Sequence, residues 1–158
     1  RTLLSLTLPE ERFPFTQHLR YGFLSAVRAA GVDHEIVDGV TLDSPAARIE
    51  QALRDSRTGD APPDGYVCVG EVTALVTLSA MSDTGAVLGR DADIFAKRAS
   101  PIFDNIRPRI DTVFEDLRET GHKMAEMLLR RMQGEDPATL SHVLIPDFGC
   151  LRHSETQG

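Results

Sequence analysis

Along most of this chain, short apolar runs alternate with longer stretches in which apolar residues recur every three or four positions. The first pattern fits a strand covered on both faces and the second an amphipathic helix. Residues 2–7 predict a strand. Residues 14–30 predict a helix, with Leu19, Phe23, Ala26, Val27 and Ala30 on its buried face and Gly31 as its stop. A second strand follows at 34–37. Ser44, suited to an N-cap, and Pro45 predict the next helix start, and Ile49, Ala52 and Leu53 give that helix its stripe. After a loop at 60–65, residues 66–69 predict a third strand, 72–82 a third helix ending near Gly85, and 93–96 a fourth strand. This β-α-β-α-β-α-β order with short links predicts an α/β fold, a doubly wound parallel sheet with right-handed crossovers.

The alternation breaks after Ala96. Residues 97–109 are irregular, with Pro101 and Pro108 as breakers. A long amphipathic helix is then predicted over 115–133, striped by Leu117, Gly121, Met124, Ala125, Leu128, Leu129 and Met132 and ended by Gly134. Residues 142–145 predict a last strand, and a polar tail begins at His153.

A length of 158 residues fits one ordinary domain. No apolar run reaches the roughly 18 residues of a membrane span. The chain opens on Arg1 without an initiator Met or a signal-peptide layout, which leads to the expectation of a start further upstream. The net charge of −7 carries no basic patch, and Arg130-Arg131 reads as a solvated helix face beside Lys123 and Glu126. Any DNA contact is therefore expected outside this chain. Cys68 and Cys150 lie far apart in apolar contexts, as expected of buried thiols in a cytoplasmic protein.

No G-x-S-x-G, Gly-rich phosphate loop or H-E-x-x-H is present, and the five histidines lack metal-ligand spacing. The expectation is a protein with no catalytic residues, cofactor or metal. A site is still placed by physics: open α/β sheets bind ligands beyond the carboxyl ends of their strands. Those ends fall at 7–9, 39–41, Gly70-Glu71 and Ala96-Lys97-Arg98. Glu71 can accept from ligand hydroxyls, Arg98 can offer a planar fork, and Phe13 and Phe15 can stack on a sugar face. Solvated loop charges are the equally simple alternative for each charged position.

Several segments then resemble the lactose-repressor (LacI/GalR) family of bacterial transcription regulators. GYVCVGEVTAL at 65–75 resembles the family's strand-to-helix D-A-[IV]-[VF]-C-A-N-D-x-x-A-x-G, and residues 92–96 sit where it has V-S-V-V-G-F-D-D. RPRIDTV at 107–113 resembles x-P-P-L-T-T-[IV]. Residues 121–136 resemble G-x-x-A-x-x-x-L-L-x-x-I-x-G-E, VLIP at 143–146 resembles x-[IV]-x-[LV]-P, and RYGF at 20–23 resembles R-x-G-[FY]. The match runs from Arg1 to about Arg152.

The resemblance implies one lobe of a periplasmic-binding-protein-like (type I) effector domain. Residues 1–110 and 145–158 would form the C-terminal lobe. Residues 111–144 would hold hinge crossings and a helix belonging to an N-terminal lobe outside the chain, as would the helix-turn-helix. The implied partners are a small-molecule effector, operator DNA through that missing part, and a second copy in a homodimer, with no membrane. The implied effector positions are Phe15, His18, Arg20, Gly70, Glu71, Arg98 and Glu115. The family's pocket Asn-Asp becomes Gly70-Glu71, its pocket Asp becomes Arg98, and its helix Arg falls on Leu19, beside Arg20 and near His18. The implied effector is a sugar or sugar derivative, and the loss of an acceptor and gain of a cation at Arg98 imply one carrying a carboxylate, phosphate or other anionic group, with a neutral sugar in a shifted pose or a weakened site as the alternative. Leu75, Leu78, Ile102 and Phe103 match the dimer face, with core packing as the alternative for about half. A periplasmic sugar-binding protein of the same fold and an enzyme on a doubly wound sheet are the rival expectations. The stripe on the long helix predicts self-association of the isolated chain.

Overall fold

A computed structural model describes residues 2–5, 14–37, 40, 44–58 and 62–149, with 2–5 and 147–149 described by their backbone alone. Twelve elements follow one another: β1 (Thr2–Ser5), α1 (Pro14–Ala29), β2 (Asp33–Ile36), α2 (Ala46–Arg57), β3 (Gly65–Cys68), α3 (Glu71–Asp83), β4 (Asp93–Arg98), a 3-10 turn (Ile102–Asn105), β5 (Asp111–Phe114), α4 (Leu117–Met132), a second 3-10 turn (Pro137–Thr139) and β6 (Asp147–Gly149). They build one sheet in the order β2-β1-β3-β4-β5-β6, parallel throughout except for β6, which runs antiparallel to β5.

The strand order reverses between β1 and β3. With right-handed crossovers, α1 therefore covers one face of the sheet while α2 and α3 cover the other. Alternation along the strands sorts their side chains accordingly. Tyr66 and Cys68 point toward α2 and α3: the Tyr66 hydroxyl receives Arg57 Nη1 at 2.8 Å, and Cys68 Sγ lies 3.5 Å from Thr77 Oγ1. Register puts Ile94 and Ala96 beside them on the same face. These residues join Ile49, Leu53, Ala74, Ala80 and Met81 in the buried core. Two arginines of α2 tie it to the end of α3, Arg54 to Asp83 at 2.8 Å and Arg57 Nε to Thr84 Oγ1 at 3.2 Å. Burial pushes the free Cys68 thiol up to about 12 and raises the Tyr66 hydroxyl as well, the latter partly offset by Arg57.

The predicted alternation holds, with corrections in detail. The buried face of α1 is rotated from the predicted stripe: Thr16 and Val27 are buried, Arg20, Phe23 and Leu24 are half-buried, and Leu19, Ala26 and Ala30 are exposed. Pro45 rather than Ser44 is the N-cap of α2, because the backbone turns helical only at Ala46. Gly31 and Gly134 end α1 and α4 at φ +63° and +95°, where a side chain would be strained.

Two larger differences lie in the C-terminal third. Asp111–Phe114 is a strand of the sheet, paired with β4, so the sheet does not end at Ile110. Residues 142–145, predicted to be a strand, form no ladder: Val143 is 79% and Ile145 85% exposed, and the returning strand is Asp147–Gly149. The helix α4 has no buried residue, and Met124, Leu128, Leu129 and Met132 lie open along it. Leu6 to Phe13, Cys150 and the tail fall outside the described residues.

Candidate functional site

The reversal between β1 and β3 makes a crevice at their carboxyl ends, because the helices following these strands leave to opposite faces. Backbone geometry at that point is set by Gly70, which adopts an extended conformation (φ −167°, ψ 171°) before α3 begins. Thr73 closes the turn by accepting from the Gly70 N–H at 3.2 Å and donating to the Gly70 carbonyl at 2.7 Å. Glu71 then opens the helix, where a negative charge suits the helix dipole.

The carboxylate of Glu71 does not reach openly into the crevice. Its Oε1 accepts the backbone N–H groups of Ala99 at 2.9 Å and Ser100 at 2.8 Å, so it anchors the exit of β4. Partial burial alone would raise its pKa. The bonds from Ala99 and Ser100 and the charge of Arg98 outweigh that and hold it below the usual carboxyl range.

Arg98 is brought close to Glu71 but turned differently. Its Nε donates to Thr112 Oγ1 at 3.1 Å and its Nη1 to the Ser100 carbonyl at 3.1 Å, and its guanidinium lies 4.8 Å from the centre of the Phe114 ring. Thr112 pairs in register with Ala96. The Arg98 guanidinium therefore folds back along the sheet, away from the strand ends, into a recess beneath the β4–β5 connection. The anionic-effector expectation rested on a cation at the rim, and this geometry removes Arg98 from it.

The neighbouring lysine occupies the rim instead. Lys97 alternates to the α1 face, and its Nζ pairs with Glu115 Oε2 at 2.7 Å. Both side chains are about two-fifths exposed, so the pair is worth little as a staple and remains accessible. The Glu115 N–H donates to the Arg98 carbonyl at 2.9 Å, which fixes the end of β5 against β4. Beside it a cavity of about 300 Å³ is lined by Phe114, Glu115, Asp116, Thr120, Leu144, Ile145 and Pro146. Asp116 caps α4 by accepting from the Glu119 N–H at 2.9 Å.

On α1, Phe15 is 47% exposed and His18 lies on the same open side, while Arg20 is half-buried on another face. The crossover places the first turn of α1 at the carboxyl edge of the sheet. Lys97 is not among the effector positions expected from the sequence, which favour its neighbour Arg98. The signal for it was alternation, since Ile94 and Ala96 send every second residue inward and leave Lys97 on the opposite face. Of the four residues matched to a dimer face, Phe103 is in the core at 4% exposure, and Leu75 and Leu78 are half-buried against it. Only Ile102 is exposed.

A sequence profile for the periplasmic binding protein-like domain matches residues 2–154. The chain belongs to this family. The domain resembles several solved structures of low sequence identity. One is a LacI family transcriptional regulator from Bifidobacterium animalis subsp. lactis, with TM-score 0.80 at 18% identity, covering 93% of this chain and 52% of that one. Another is a regulatory protein of the LacI family from Chloroflexus aggregans, with TM-score 0.79 at 18% identity, covering 94% and 53%. A third is a periplasmic binding protein/LacI transcriptional regulator from Alkaliphilus metalliredigens complexed with D-xylulofuranose, with TM-score 0.68 at 20% identity, covering 92% and 51%. The domain thus spans about half the length of these structures. No curated protein sequence matches it significantly.

Proposed function

We propose that this domain is the effector-sensing part of a LacI-type transcription regulator and that its effector is an uncharged sugar. The observation that carries the reading is the rim itself. At the carboxyl ends of the parallel strands, the Lys97–Glu115 pair offers a donor and an acceptor of balanced charge beside a cavity of about 300 Å³. Vicinal hydroxyls can donate to the Glu115 carboxylate and accept from the Lys97 ammonium, and Phe15 offers an apolar surface for the ring's C–H face. An anionic effector would have to break the existing pair and face Glu115 and Asp116. Bound sugar in one structural relative agrees with this choice.

Signalling then requires that the sugar bind one arrangement of the whole protein more tightly than another, which shifts their populations and with them the affinity for operator DNA. Association as a homodimer in the cytoplasm belongs to the same reading.

Calorimetry on the full-length protein tests the effector, using neutral pentoses and hexoses alongside their phosphates. Saturable binding of a neutral sugar, weakened by Glu115→Gln, is the expected result. Tighter binding of every phosphate than of its parent sugar would refute it. Sequencing upstream of Arg1 tests the regulator: a helix-turn-helix is expected, and a secretory signal peptide would overturn this part.

A further inference from the structure

The connection between β4 and β5 is the one parallel crossover of the sheet without an α-helix: residues 99–110 hold only the 3-10 turn Ile102–Asn105. A recess of about 280 Å³ remains under it, lined by Arg98, Phe103, Asp104, Arg109, Ile110 and Thr112.

The polar groups in this recess are fixed but incompletely used. The Arg98 guanidinium is held by Thr112, the Ser100 carbonyl and the Phe114 ring. Among the described residues no acceptor lies within hydrogen-bonding distance of its Nη2. Thr112 is 2% exposed, and its hydroxyl oxygen already accepts from Arg98 Nε. Its own proton meets no acceptor among the described residues. A buried hydroxyl donor without an acceptor is costly, and proteins normally fill that position with water or a ligand. Here the unmatched donors on Arg98 and Thr112 belong to groups already in contact.

We propose that the recess binds a small aliphatic carboxylate. One carboxylate oxygen accepts from Arg98 Nη2 and the other from the Thr112 hydroxyl, and the short tail lies against Phe103 and Ile110. The Arg98 guanidinium supplies the positive charge that a carboxylate would face. Asp104, 3.8 Å from Arg98 Nη1 and at the open side, disfavours a dianion such as phosphate. The volume is at the small end for ligand sites and suits a few heavy atoms. The inference is independent of the sugar reading, since the recess lies on the opposite face of the sheet from Lys97.

The test uses butyrate on the intact chain, with chloride at equal ionic strength and butyramide as the uncharged isostere, read by calorimetry and by thermal melting. Butyrate should bind saturably, while butyramide and chloride should not. Thr112→Val, nearly isosteric, should weaken butyrate roughly tenfold through loss of one charge-assisted bond. Asp104→Asn, at an exposed position, should tighten it and so tests the site without touching the core. Equal effects of butyrate and chloride, equal binding of butyramide, or butyrate affinity unchanged in Asp104→Asn would overturn the proposal.

Discussion

Replacing Glu71 by Ala removes the acceptor for two backbone N–H groups at once, those of Ala99 and Ser100. Each bond to a charged group contributes about 1.5–3 kcal/mol when well shielded. Glu71 is partly exposed and water can replace some of that, so the expected loss for the pair is about 2 kcal/mol. For a domain of this size, that corresponds to a fall of roughly 4–8 °C in melting temperature. Urea unfolding of both proteins at neutral pH, followed by circular dichroism, measures the difference. The folded carboxyl titrates below its ordinary range, so its contribution is fully present above the unfolded pKa and disappears as pH falls through the folded one. The gap between the two proteins should therefore close below about pH 4. An alanine variant within about 0.5 kcal/mol of the parent, or a gap that persists at pH 3, would show that the β4 exit is held by something else.

Three further outcomes follow from burial and exposure. Ile94→Ala, at a fully buried position between β3 and β5, should cost about 2–5 kcal/mol, and a loss under 1 kcal/mol in the same urea assay would mean that the site collapses freely. The buried Cys68 thiol, pushed up to about 12, should resist a thiol reagent at pH 8 in the native protein and react on unfolding; fast native labelling would contradict its placement. Paired Leu128→Glu and Met132→Glu substitutions on α4 should abolish self-association of the isolated chain on a sizing column with light scattering. A parent chain already monomeric would refute a role for that stripe.

Apolar spacing alone located α1, α2, α3, α4 and four of the six strands, because each carries apolar residues at helix or strand spacing, and that spacing is present whether or not anything covers it, as the open stripe of α4 shows. It overlooked β5, whose inward residue is Thr112, a polar side chain that is buried yet does not read as apolar. It overvalued residues 142–145, whose Val143 and Ile145 resemble a strand but have nothing to cover them. The site shows the same division. Strand ends pointed to Glu71 and Arg98 and the family resemblance to Glu115; the structure brings Arg98 near Glu71, and the Glu115 N–H bonds to the Arg98 carbonyl. Direction depends on partners: Thr112 and Phe114, drawn from a strand that the pattern missed, turn Arg98 inward and leave Lys97 at the rim.

The chain leaves the sheet through β5 and, after α4, comes back through β6, its immediate antiparallel neighbour. Whatever α4 carries is thus fastened by two straps lying side by side. The two straps are bonded to each other through the ladder between Thr112–Phe114 and Asp147–Gly149, so neither is displaced without the other. Both ends of the α4 segment are accordingly anchored side by side at one edge of the sheet, next to Glu115 at the rim.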